Sequence, residues 1–210
     1  MVRKQQTERA PEQFRLDFGV PERLKRKWAP RPPLDYLFFA VLPPPAVAAR
    51  IAERAENWRR RRGLHARPRR PELLHISLNG VGLYVDLPDN VVQAAVDAGS
   101  RVEMAPFEVT FDRALSFKST GPRPFVLCSS GNHAGLAELR RAIGSSMQGI
   151  GFRGSDHGFT PHVTLLYTDE LLPETSIDEP VSWTVRDFVL VHSLHGRSRH
   201  VHRRRWPLLC

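Results

Sequence analysis

The strongest constraint on this chain is a tetrapeptide pattern that occurs twice. Residues 73–78 read Leu73-Leu74-His75-Ile76-Ser77-Leu78, and residues 159–167 read Phe159-Thr160-Pro161-His162-Val163-Thr164-Leu165-Leu166-Tyr167. Each holds a histidine, an apolar residue, a hydroxyl residue and a leucine. Both settings favour β-strands, and Pro161 sits at a strand start, where a missing N–H is tolerated. Side chains alternate between the two faces of a strand. Each pattern therefore presents an imidazole and a hydroxyl on one face, with apolar residues behind them. One His-x-Ser/Thr is a weak signal. Two of them, 87 positions apart (75 to 162) in matched surroundings, point to a duplicated fold.

The surroundings match element by element. Asp35 to Leu42 is a short aromatic and apolar run stopped by Pro43-Pro44-Pro45, which reads as a buried strand. Ala46 to Arg61 follows, with Val47, Ile51, Ala55 and Trp58 at near-helical spacing and a polar opposite face. Gly63 closes that helix, and a basic loop with Arg67, Arg69 and Arg70 leads to the His75 strand, which Gly80 and Gly82 end. In the second half, Phe125 to Cys128 reads as a buried strand. His133 to Gly149 reads as a helix with Leu136, Leu139, Ile143 and Met147 on one face, and a Gly-rich loop from Gly149 to Gly158 leads to His162. The helix end lies 14 residues before the histidine in the first half and 13 in the second. Between the halves, a helix is expected over Asp89–Gly99 and a strand from Pro106 through Phe117. After them come an acidic loop (Asp169 to Glu179) and a long strand (Ser182 to Leu194). The expected architecture is α+β: a bilobal internal duplication, two antiparallel sheets flanked by helices around a central cleft.

The chain has 210 residues, enough for one medium domain or two small lobes with a real core. Its net charge of +9 favours an anionic partner, RNA or a phosphate-bearing ligand first. Residues 1–32 are polar, basic and broken by Pro11, Pro21, Pro30 and Pro32; they read as a flexible extension, with Phe14, Leu16 and Phe18 able to pack on the body, and 33–208 reads as the folded domain. Cys128 and Cys210 make no disulfide framework, and no Cys-x-x-Cys pair offers a zinc site. The N-terminus lacks the apolar core of a secretory signal, and Leu37 to Leu42 is too short to cross a bilayer. A soluble, reduced, cytoplasmic monomer with no membrane association is expected. His200-x-His202 lies among Arg197, Arg199, Arg203, Arg204 and Arg205, whose charges oppose metal binding; this cluster suits RNA phosphate better.

Two histidines on opposite walls suit one chemistry in particular. Opening a cyclic phosphodiester with water needs a base on the attacking side and an acid on the leaving side. Histidine holds either protonation state near neutrality. Ser77 and Thr164, one strand step beyond on the same face, are placed to bind the non-bridging phosphate oxygens. No metal or other cofactor is called for.

His75-Ile76-Ser77-Leu78 and His162-Val163-Thr164-Leu165 resemble the paired motifs of the two-histidine phosphoesterase superfamily. Residues 35 to 208 resemble its RNA 2′,3′-cyclic phosphodiesterase branch, often named 2′-5′ RNA ligase. Tyr36-Leu37-Phe38-Phe39-Ala40, Pro161, and Val189-Leu190-Val191-His192-Ser193-Leu194 fit that branch as well. The resemblance implies metal-free hydrolysis of an RNA or nucleotide 2′,3′-cyclic phosphate to a 2′-phosphomonoester. It makes His75 the proton donor and His162 the proton acceptor. Phe39 resembles an apolar residue near the family's nucleotide site, and Phe39 and Tyr167 are the candidate substrate contacts. Where the family often carries arginine after the motifs, this chain has Asn79 and Tyr167; Arg67, Arg69, Arg153 or the C-terminal arginines are the candidates to stand in. The alternatives are a 2′-5′ RNA ligase, another cyclic-nucleotide phosphodiesterase on the same site, or a non-catalytic basic RNA-binding module. The last would have no use for two titrating groups.

Overall fold

The computed structural model describes residues 34–131, 133–149, 151–152 and 158–209. In chain order its elements are β1 (Asp35–Val41), α1 (Pro45–Arg61), a 3-10 turn (Pro71–Leu73), β2 (Ile76–Tyr84), α2 (Asp89–Gly99), β3 (Phe107–Ser116), β4 (Arg123–Cys128), α3 (Ala134–Gln148), β5 (Val163–Thr168), β6 (Thr175–Val185), β7 (Asp187–Leu194) and β8 (Arg199–Pro207). The strands form two four-stranded sheets, ordered β2-β1-β7-β8 and β5-β4-β3-β6, with every pairing antiparallel. The expected α+β class with two antiparallel sheets is what the chain adopts. A strand–helix–strand unit, β1-α1-β2 or β4-α3-β5, supplies the first two strands of each sheet in the same order. The first sheet is completed by the hairpin β7-β8 from the far end of the chain. The lobes are therefore not simple halves of the sequence.

Local chemistry explains the elements. Pro45 opens α1 where its missing N–H is not needed. Arg59, Arg60 and Arg61 sit at its negative end. Gly63 follows at φ +63°, a left-handed conformation that glycine adopts without strain. In β1, Leu37, Phe39 and Val41 face the main core, while Phe38 and Ala40 pack with Val189 and Val191 on the other face. Burial on both faces is why this stretch is apolar without alternation. Each such fully buried side chain contributes about 1.5–3 kcal/mol.

The helices lock the two sheets together. α1 lies against β5 and β6 of the second sheet, with Trp58 edge-on to Phe125 at 5.5 Å. α3 touches β2 of the first sheet and β3 of the second, and α2 packs against α3, β7 and β8.

Several boundaries differ from the sequence-based expectation. β2 runs through Gly80 and Gly82 instead of ending there. A Cβ on Gly80 would sit 2.5 Å from the Tyr36 hydroxyl, so the glycine permits close approach. The acidic stretch is partly strand, since β6 begins at Thr175. The single strand expected from Ser182 to Leu194 is two, divided at Arg186. The Arg- and His-rich C-terminus forms β8, an edge strand. The expectations for residues 1–33 and for Arg153 and the loop around it lie outside the described residues. Among the described residues, no helix is long and apolar enough to cross a membrane.

Candidate active site

Both motif histidines lie just ahead of a strand, not within one, and both are held in the same way. His75 Nδ1 donates to the Leu73 carbonyl at 2.8 Å, and His162 Nδ1 donates to the Thr160 carbonyl at 2.8 Å. A carbonyl only accepts, so the proton is on Nδ1 in each ring and Nε2 keeps its lone pair. Each imidazole also packs against a phenylalanine, one on β1 beside β2 and one just past the end of β3. Phe38 lies 5.1 Å from His75, and Phe117 lies 4.9 Å from His162. The two rings lie near enough that charge on His162 opposes charge on His75.

A third imidazole belongs to the site. His200, on β8, packs at 5.2 Å against His75 and at 5.9 Å against Phe38. The turn before it, with Gly196 at φ +69° and Ser198 at φ 44°, is tied down from two sides. Arg70 donates to the Ser198 carbonyl at 2.7 Å. Asp35 accepts from the His195 N–H at 2.9 Å and lies 2.8 Å from His192 Nε2. His200 lies 125 positions beyond His75, and nothing in local periodicity connects them.

The hydroxyl residues follow from strand register. Ser77 pairs with Ala40, so it shares the face of Phe38 and Ala40; Thr164 pairs with Val126. After each hydroxyl the register slips. Ser77 pairs with Ala40 but Gly80 pairs with Phe38, and Thr164 pairs with Val126 but Leu166 pairs with Phe125. One extra residue follows each motif, a bulge that re-aims whatever comes next. In β5 the bulge buries both Leu165 and Leu166 and turns Tyr167 onto the Thr164 face, where it is 46% exposed. Strict alternation puts Tyr167 on the opposite face; the Leu165-Leu166 doublet was the available sign that it does not.

Phe39 requires correction as a substrate contact. It is wholly buried, 6.3 Å from Phe188 and 5.8 Å from Trp206. Its neighbour Phe38, one step along the strand, carries the ring that faces the site. Asn79 points at α3, with its amide nitrogen near Gly144 and its Oδ1 buried. Of the arginines considered as replacements, Arg69 is at the site. Its guanidinium lies 5.2 Å over the Tyr167 ring, and its charge reaches both His75 and His200.

These neighbours set the protonation states. Burial, then the charges of His200, Arg69 and His162, push His75 down to about 3 against the opposing hydrogen bond to Leu73. Burial also lowers His162. Burial, with Arg69 and His202, takes His200 down to about 4. All three rings are neutral at pH 7 in the free protein. Among the described residues, no group of three or more His, Cys, Asp or Glu converges in a way that could hold a metal ion.

A family model described as the 2'-5' RNA ligase superfamily matches residues 43–197. Among solved structures, E. coli LigT complexed with 3'-AMP is 24% identical over 84% of this chain and 99% of its own, with a TM-score of 0.67. E. coli LigT in apo form is 26% identical over 85% and 99%, with a TM-score of 0.65. The protein TT0787 of Thermus thermophilus is 22% identical over 82% and 97%, with a TM-score of 0.68. Among curated proteins none matches the chain. The matching family model spans well over half of the chain and takes in both histidine motifs, and the chain therefore belongs to the 2'-5' RNA ligase superfamily.

Proposed function

We propose that this protein hydrolyses 2′,3′-cyclic phosphodiesters on RNA ends or nucleotides to 2′-phosphomonoesters, without a metal. The observation that carries this reading is the matched pair of imidazoles, each with Nδ1 locked on the carbonyl two residues back and Nε2 left for proton transfer. E. coli LigT, which shares the fold, has been solved with 3'-AMP, ATP and NADP+, and those ligands favour a nucleotide substrate here.

In the proposed step, His162 Nε2 takes a proton from water as its oxygen bonds to phosphorus. The P–O3′ bond breaks on the opposite side, and His75, which takes up a second proton from solvent in the substrate complex, gives that Nε2 proton to the departing O3′. Ser77 and Thr164 hold the non-bridging oxygens so that water, phosphorus and O3′ stay in line. Afterwards His162 carries a proton and His75 does not; exchange with solvent restores both.

The full chain, incubated with a nucleoside 2′,3′-cyclic phosphate in excess EDTA, is expected to release the 2′-monophosphate, identified by phosphorus NMR. Turnover only on addition of a metal, or a 3′-monophosphate product, overturns the assignment.

A pH dependence follows from the same geometry. The reactive form needs one ring protonated and one neutral. Because both rings are lowered from the ordinary histidine value, the singly protonated free protein is most abundant on the acid side of pH 6.5. Thus kcat/KM should rise as pH falls from about 8 towards about 6. Bound substrate brings a negative charge that favours the proton on His75, so the kcat profile should lie at higher pH. A kcat/KM optimum above about pH 7.5 contradicts this assignment of charges.

A further inference from the structure

We infer that Arg69, seated on the Tyr167 ring, is the anion-binding residue of this site and links phosphate binding to protonation of His75. This rests on the proposed phosphodiester reaction and names the group that recognises its charge.

Four observations converge on Arg69. Its backbone N–H donates to the Leu165 carbonyl at 2.6 Å, and Leu165 is the residue the β5 bulge leaves out of register with β4. The same bulge turns Tyr167 to the face where its ring underlies the guanidinium at 5.2 Å. One irregularity therefore fixes both the backbone and the side chain of Arg69. Among the described residues no carboxylate pairs with Arg69, whereas its neighbour Arg70 is engaged by Glu72 and the Ser198 carbonyl. Finally, Arg69 is half-buried beside two imidazoles whose protonation it opposes.

That arrangement is unfavourable by itself. A partly desolvated cation normally acquires a counter-charge. Here the groups around it are the imidazoles of His75 and His200 and the Tyr167 ring, with no carboxylate among them. The missing charge is that of the ligand. A guanidinium presents several N–H donors in a planar fork suited to two phosphate oxygens, and stacking on an aromatic ring leaves that fork free. Burial is the main reason His75 is neutral, with the charges of His200, Arg69 and His162 adding to it; a bound phosphodiester monoanion offsets the Arg69 share. Protonation of His75 is therefore easier with substrate bound than without it.

Arg69→Gln should raise KM for a nucleoside 2′,3′-cyclic phosphate about 10- to 100-fold, the size of one lost charge-assisted hydrogen bond. Its kcat/KM profile should also move to higher pH, because a cation is removed from beside His75 while His200 and His162 stay. A merely structural role would not shift that profile. Tyr167→Ala removes the seat from an exposed position and should raise KM in the same direction by less. It stands in if Arg69→Gln fails to fold. Titration of the full-length parent and variants with inorganic phosphate, followed by calorimetry, separates this inference from the reaction itself. Phosphate binding that Arg69→Gln abolishes supports the inference even if no cyclic phosphodiester is hydrolysed. Hydrolysis by the parent with KM and pH profile unchanged in Arg69→Gln overturns it and leaves the reaction standing. So does phosphate affinity equal in parent and variant.

Discussion

Replacing His75 or His162 with alanine lowers kcat/KM for a nucleoside 2′,3′-cyclic phosphate by about 100- to 10,000-fold, the usual contribution of general acid–base catalysis. The two losses do not add. Once one end of the proton path is gone, the other has little left to do, so the double variant falls close to the worse single one. The rings are half-buried and each rests on a phenylalanine, so truncation also disturbs packing around Phe38 and Phe117. His75→Asn and His162→Asn are the controls. Asparagine keeps an amide donor for the Leu73 or Thr160 carbonyl but cannot carry the proton. Activity at parental levels in either asparagine variant would falsify the two-histidine mechanism. Far-UV circular dichroism checks that the fold persists in all of these variants.

Trp206→Ala should destabilise the protein by about 3–5 kcal/mol, the range for removing a large buried aromatic side chain. Trp206 is the pin that holds β8. Its ring stacks on Phe188 at 5.0 Å and meets Phe39 at 5.8 Å, and its Nε1–H donates to Ser100 Oγ at 3.0 Å. It also fills the space over Gly99, where a Cβ would lie 2.6 Å from the indole. Urea unfolding measures the loss as a lower midpoint at unchanged slope. Because β8 also carries His200, the same variant loosens the ring beside His75, and kcat/KM should fall even in conditions where the protein remains folded. A midpoint unchanged from the parent contradicts this account of how the edge strand is secured.

Much of this architecture was legible from residue order. The proline-stopped run at 35–42, the amphipathic spacing through Ile51 and Ala55, and the Leu136-Leu139-Ile143-Met147 stripe each became the expected element within a residue or two. These are local signals, set by which face of a short segment must be covered. The readings that failed depended on partners. Phe39 was placed near the substrate by resemblance alone, and a strand buried on both faces carries no polar residue to check its phase. The late glycines of β2 were misread because turn-forming residues were judged without the neighbouring strand that decides whether they pair, and the division at Arg186 was missed because no glycine or proline marks it.

Residue order alone determined that two copies of an imidazole-plus-hydroxyl strand would exist, and that each would follow a strand and a helix. It could do so because propensity and alternation act over a few residues. Tertiary structure alone decided which other groups meet those imidazoles: His200 from the final strand, Arg69 from a loop, and Tyr167 through a bulge. Such meetings depend on strand register and on how the helices dock across the sheets, and both are settled by contacts between segments far apart in the chain.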